Sequence, residues 1–245
     1  MSLLDPASFI LVNIGIFLGA LVSGMVGFAF SAVAGAVLLH VLPPTDAVPL
    51  MMACSIVTQG VSLVALRGTV QWHGNPMLIL SGAIGIVPAL YLLNRIDTQL
   101  FRTGFGAFLV LFAAYMLFRP SVTRGRFVPG RARDAIIGFG GGLIGGLTAM
   151  PGALPTMWCE LRGLPKEEQR GLLQPYITAM QLIALALMLS GRSLPPHALA
   201  SLLLSLPALV GGAALGVIMF RRVDGASFRR VVLSVLLVAG SALVV

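Results

Sequence analysis

The chain has 245 residues, of which 58% are hydrophobic and 10% are charged, and its formal net charge is +8. A soluble domain carries roughly 25% charged residues to keep its surface wet, so this composition excludes a water-soluble fold and makes the lipid bilayer the solvent. The positive balance does not indicate nucleic acid, because the arginines stand in short clusters between apolar segments, where they act as topology signals.

A bilayer core about 30 Å thick takes about 20 mostly apolar residues to cross as helix. The N-terminal stretch MSLLDPASFILVNIG has neither Lys nor Arg before its apolar part, so it reads as the first membrane element rather than a removable signal peptide. It opens a Gly-rich element at 9–41, followed by apolar spans at 46–66, 76–93 and 101–118. Then comes RPSVTRGRFVPGRARD, whose charge and Pro/Gly content mark a loop. The same order returns after it, with a Gly-rich element at 135–162 and spans at 171–190, 198–220 and 231–245. The expected fold is an all-α integral membrane protein, a single membrane domain over 1–245. It comprises repeat 1 (9–119), a cytoplasmic Arg-rich linker (120–133) and repeat 2 (134–245).

The duplication is visible in the residues themselves. Arg95, Asp97, Phe101 and Arg102 recur as Arg222, Asp224, Phe228 and Arg229; Gly24-Met-Val-Gly27 faces Gly146-Leu-Thr-Ala149; Gln59 falls on Gln181. In the second Gly-rich element the apolar run is broken by Met150-Pro151-Gly152 and Pro155, leaving pieces of about 12 and about 10 residues, too short to span at 1.5 Å per residue. The first element has Gly24 and Gly27 at the matching place without a proline, so its break is inferred from the repeat. Both elements are expected to be interrupted helix hairpins that turn back near the middle of the bilayer. Each half then crosses an odd number of times and the repeats are inverted. That orientation puts 13 of the 16 Lys and Arg residues on the cytoplasmic side, as the positive-inside rule requires.

Inverted repeats with interrupted helices place a binding site at the breaks, where unpaired backbone groups can meet a ligand. The N-terminus of a half-helix carries free N–H donors and about half a positive charge, which favours an anion. This matters because none of the 16 positive residues falls inside a predicted span, save Arg102 at the very start of 101–118. The candidate substrate-binding residues are Gly24, Gly27, Phe28 and Ala29 at the first break and Thr148, Ala149, Met150, Pro151 and Gly152 at the second. Glycine there admits a ligand to the backbone, or else serves only tight helix packing. Gln59 and Gln181, amides in the middle of apolar spans, are the second set: each can donate two hydrogen bonds to an oxyanion or act as interhelical glue. Tyr176, Thr178, Ser55 and Thr58 are weaker candidates, since such hydroxyls often bond their own helix backbone.

Other polar residues read as structural. Asp97 and Asp224 precede the last span of each half as N-caps, Lys166-Glu167-Glu168 opens a helix, and Glu160 sits toward the interface. Cys54 and Cys159 lack a C-x-x-C or metal-ligand pattern, and His40, His73 and His197 are scattered toward loops. No metal, cofactor or catalytic residue is predicted. A membrane-embedded enzyme or redox protein would need a nucleophile, metal ligands or paired cysteines near one face. A transporter of another solute class, such as amino acids, would need a buried carboxylate for the ammonium group.

The Gly-rich stretch Gly138-Phe-Gly-Gly-Gly-Leu-Ile-Gly145-Gly146-Leu-Thr-Ala-Met-Pro151-Gly152, the pair Gly24 and Gly27, and Arg67-Gly68-Thr-Val70-Gln-Trp72 together resemble the TauE/SafE sulfite exporters over nearly the whole chain. The resemblance implies a multi-pass protein of the bacterial inner membrane whose substrate is a small anion such as sulfite or an organosulfonate. Gly27-Phe28-Ala29-Phe30 and Ala149-Met150 depart from that family's glycine runs, and their larger side chains reshape the expected pocket.

Overall fold

A computed structural model describes residues 6–27, 29–65, 76–118, 130–190, 198–222 and 225–244. Among these residues there are ten helices and no strand: α1 (Pro6–Val26), α2 (Phe30–Val41), α3 (Pro44–Ala65), α4 (Pro76–Leu93), α5 (Thr98–Phe118), α6 (Arg131–Thr148), α7 (Ala153–Leu161), α8 (Lys166–Ser190), α9 (Ala198–Arg222) and α10 (Gly225–Val244). Six of them are long and apolar enough to cross a membrane. Helix is what lipid demands, because every backbone N–H and C=O must find a partner without water. Large side chains such as Leu80, Ile84, Leu111, Phe118 and Ile136 point outward, each more than 60% exposed, and suit acyl chains. The serines, threonines and glutamines at Ser31, Ser55, Thr58, Gln59, Gln174 and Gln181 are buried instead.

The Gly-rich elements differ from two short pieces. Each is one long helix followed by one short helix: 21 and 12 residues for α1 and α2, 18 and 9 for α6 and α7. At 1.5 Å per residue α2 is about 18 Å long and α7 about 14 Å, short of the hydrocarbon thickness. The long partner exceeds its apolar run because the helix continues back through Ala135 and Asp134 to Arg131, into the segment read as linker. The run of glycines from Gly138 does not interrupt it, since in a membrane helix close neighbours compensate glycine's conformational freedom. In the first element the short helix runs back along the long one: Gly15 lies against Val37 and Gly19 against Ala34.

Glycine sets how the remaining helices meet. α4 lies parallel to α6, with Gly82 on Gly142 and Gly85 on Phe139, so closely that a Cβ on Gly142 would strike the Gly82 carbonyl. α1 lies parallel to α9 in the same way, Gly24 and Leu21 meeting Gly216. α5 and α10 cross antiparallel at Gly106 and Gly240. Each of α3, α4, α8 and α9 carries one internal proline, Pro49, Pro88, Pro175 and Pro207. Proline removes one N–H from the helical ladder and is tolerated in membrane helices where neighbours satisfy the freed carbonyl.

Candidate functional site

The first break begins where α1 ends at Val26. Gly27 then takes φ +98°, a left-handed conformation that side chains rarely adopt, and its N–H donates to Ser23 O at 2.7 Å. Ala29 is buried and stands at the N-cap of α2; Phe28 lies outside the described residues. The second break turns through Ala149, which has φ +56° although it is not glycine, and leads through Met150-Pro151-Gly152 into α7, with Gly152 at its N-cap. Met150 is fully buried, and Pro151 packs on Gly145 of the preceding helix.

The two breaks touch. Ser31 Oγ, one residue into α2, donates to the Ala149 carbonyl at 2.6 Å. Gln59, buried on α3, donates through Nε2 to the Gly27 carbonyl at 2.9 Å, and its Oε1 has no partner. Gln181, on α8, is equally buried and its Oε1 is also without a partner. The other expected positions are occupied by local work. Thr148 Oγ1 bonds Ile144 O within its own helix, as Thr58 does with Ser55 O and Thr178 with Gln174 O. The Gly24 Cα faces Ala213 and Gly216 of α9, where a Cβ would come within 2.5 Å of a backbone oxygen. Tyr176 donates to Gly138 O at 2.9 Å and so ties α8 to α6.

Arg170 differs from what the sequence suggests: it is one of the 13 positive residues expected on the cytoplasmic side, just before the span at 171–190, and exposure would suit that place. The structure starts α8 at Lys166, which carries Arg170 into the helix and leaves it only 9% exposed. Its Nη2 donates to the Gly24 carbonyl at 2.8 Å, and its guanidinium lies 4.3 Å over the Phe220 ring. Nε and Nη1 have no partner. Gln174, one turn along α8, is fully buried with both amide atoms unpartnered. A Cβ placed on Gly27 would lie 3.6 Å from Arg170 Nε and 3.8 Å from Gln174 Nε2. The sequence did carry a signal for this face: Arg170, Gln174, Thr178 and Gln181 are spaced by four, four and three, a single helical stripe. Charged residues before the apolar run obscured it.

Asp97 and the helix start at Lys166 fall where expected. Asp97 Oδ1 accepts from the N–H groups of Gln99 and Leu100 at 2.9 and 3.0 Å and caps α5, while Asp224 lies outside the described residues. The buried carboxylate of Asp134 takes a hydrogen bond from Trp158 Nε1 at 3.0 Å, pinning α7 to the start of α6. Among the described residues no group of three His, Cys, Asp or Glu could hold a metal, and Cys54 and Cys159 are free, buried thiols. The arrangement can therefore offer backbone, amide and guanidinium donors to a ligand at the first break. Compared with protein families, the chain matches the model described as sulfite exporter TauE/SafE over residues 11–243. No curated protein and no solved structure matches it.

Proposed function

The chain belongs to the TauE/SafE sulfite exporter family, a family of multi-pass membrane transporters rather than enzymes, and from that premise we propose that it carries sulfite or a related small sulfur oxyanion through a site where its two helix breaks meet. The observation that carries this reading is the Ser31–Ala149 hydrogen bond, which holds the two breaks against each other although they are 118 residues apart in the chain. α2 begins at Phe30 and α7 at Ala153, close in sequence to that bond, and their positive dipole ends are the groups taken to face the anion, although at α7 the Ala153 N–H already donates to Met150 O and Pro155 has no N–H. Gln59 and Gln181 add buried amides; their unpartnered atoms are the acceptor oxygens Oε1, so an oxyanion would be met by Nε2, which in Gln59 already donates to the Gly27 carbonyl.

The same reading takes the two halves as inverted repeats. In the alignment of the halves α1 matches α6, α4 matches α9 and α5 matches α10. The reciprocal pairing of α1 with α9 and of α4 with α6 supports the match, and the antiparallel crossing of α5 with α10 favours inversion, since parallel repeats would set equivalent helices in the same direction. Arg170 no longer counts as a topology signal, yet 12 of the remaining 15 Lys and Arg residues still fall on the cytoplasmic side.

The test is flux into proteoliposomes for sulfite, sulfate, thiosulfate and a small organosulfonate, each with and without a pH gradient. Saturable sulfite or sulfonate flux is expected. Flux of none of these anions, or of a zwitterionic amino acid instead, would overturn the assignment.

A further inference from the structure

We propose that Arg170 is the cation that binds the transported oxyanion, with Gln174 beside it and the open face of Gly27 as the seat; the inference rests on reading the chain as an anion transporter. A guanidinium this buried is costly unless a negative partner compensates it. Among the described residues no carboxylate pairs with Arg170: its partners are the Gly24 carbonyl and the face of Phe220. A carbonyl dipole and a ring quadrupole hold the side chain in place without cancelling its charge. Among the described residues that negative charge is absent, and a bound oxyanion would supply it.

The donors agree with this. Arg170 Nε and Nη1 and Gln174 Nε2 are buried without partners, and Arg170 Nε and Gln174 Nε2 both approach the position where a side chain on residue 27 would stand. Glycine leaves that position free of a side chain, with a Cβ there in ordinary van der Waals contact with Arg170 and Gln174, and its φ of +98° keeps other residues out. A guanidinium edge next to an amide suits two oxygens of one oxyanion, so the ligand class is a small oxyanion with at least two terminal oxygens, and an ammonium solute is repelled. Duplication does not produce a second such seat. At the offset of 122 that relates Gln59 to Gln181, the counterparts of Arg170 and Gln174 are Val48 and Met52, both apolar and fully buried. One anion per chain is expected.

The experiment measures sulfite binding to the purified full chain by calorimetry and by the rise in melting temperature with sodium sulfite, against sodium chloride at equal ionic strength. Arg170→Gln, Arg170→Lys and Gln174→Leu are compared with the parent, and sulfite flux is measured on the same preparations. The parent should bind one sulfite. Arg170→Gln should bind at least about tenfold more weakly, as expected when a charge-assisted bond is lost, and should lose the sulfite-dependent shift. Arg170→Lys, which keeps the charge without the fork, should fall between the two, and Gln174→Leu should weaken binding by roughly fivefold. If Arg170→Gln does not fold, Arg170→Lys and Gln174→Leu decide. Folded, monodisperse Arg170 and Gln174 variants that bind sulfite within twofold of a binding, transporting parent would overturn the inference and leave the transporter reading standing. A parent that neither binds nor moves any of the anions would remove both.

Discussion

Ser31 and Ala149 lie at the starts of the two short helices' approaches, and the 2.6 Å bond from the serine hydroxyl to the alanine carbonyl joins the halves at their breaks. Ala149 holds a left-handed φ of +56°, so its carbonyl is turned out of the helical ladder and needs an outside donor. The hydroxyl supplies it.

Replacing Ser31 by Ala should therefore leave that carbonyl unsatisfied. A loss of about 0.6–2 kcal/mol is expected, between the average for membrane hydrogen bonds and the cost of a stranded buried acceptor. Transport should slow by more than the loss of folded protein explains. Thermal unfolding in detergent, read beside initial flux per folded protein, checks both, and unchanged flux would separate this bond from the site.

Gln59 and Gln181 should respond differently to substitution by Leu. Gln59 supports the Gly27 carbonyl through Nε2, its donor, so Gln59→Leu should disturb the break and, through loss of that donor, weaken anion binding by about 1–3 kcal/mol. Gln181→Leu removes a buried amide with an unpartnered oxygen and should leave stability unchanged or raised while still weakening binding. Calorimetry on both variants reads the difference; two variants that bind like the parent would make the amides packing glue.

The close crossing of α4 and α6 predicts a purely structural failure. A side chain at Gly142 would meet the Gly82 backbone, so Gly142→Val should cost at least the roughly 1–3 kcal/mol of an overpacked core and reduce the yield of monodisperse protein. Gly104, which has open space around a Cβ, should accept Ala with no such loss. Size-exclusion profiles of the two variants make the comparison.

Much of this architecture was readable from apolarity alone. The span read at 76–93 coincides with α4 at both ends, because Pro76 and Asn94 bound an uninterrupted apolar run. The start of α8 was signalled by Lys166-Glu167-Glu168, which opens the helix in the structure. The burial of Arg170 was not, because nothing local to a residue just before an apolar run shows that it folds back onto Gly24 and Phe220. The Ser31–Ala149 bond had no local signal either, since nothing near a serine indicates a partner 118 residues away. Gln59 was easier, because an amide amid Ser-Ile-Val-Thr and Gly-Val-Ser has to be answered by something across the helix interface.

Inversion of the repeats can be read from either side of the membrane. Single cysteines at Thr98 and Gly225, the first residues of α5 and α10, should label with an impermeant thiol reagent from opposite sides. A cysteine at Arg126 in the linker should label only from the cytoplasm. The background should lack Cys54 and Cys159, both buried. Labelling of positions 98 and 225 from the same side would exclude inversion.

The central claim is that the anion sits where the breaks meet, and selenite, a heavier analogue of sulfite, can locate it directly by anomalous diffraction from crystals of the full chain. The account predicts one anomalous peak within hydrogen-bond reach of Arg170 and beside Gly27, absent from crystals of Arg170→Gln. A peak elsewhere in the protein, with none at the breaks, would contradict it.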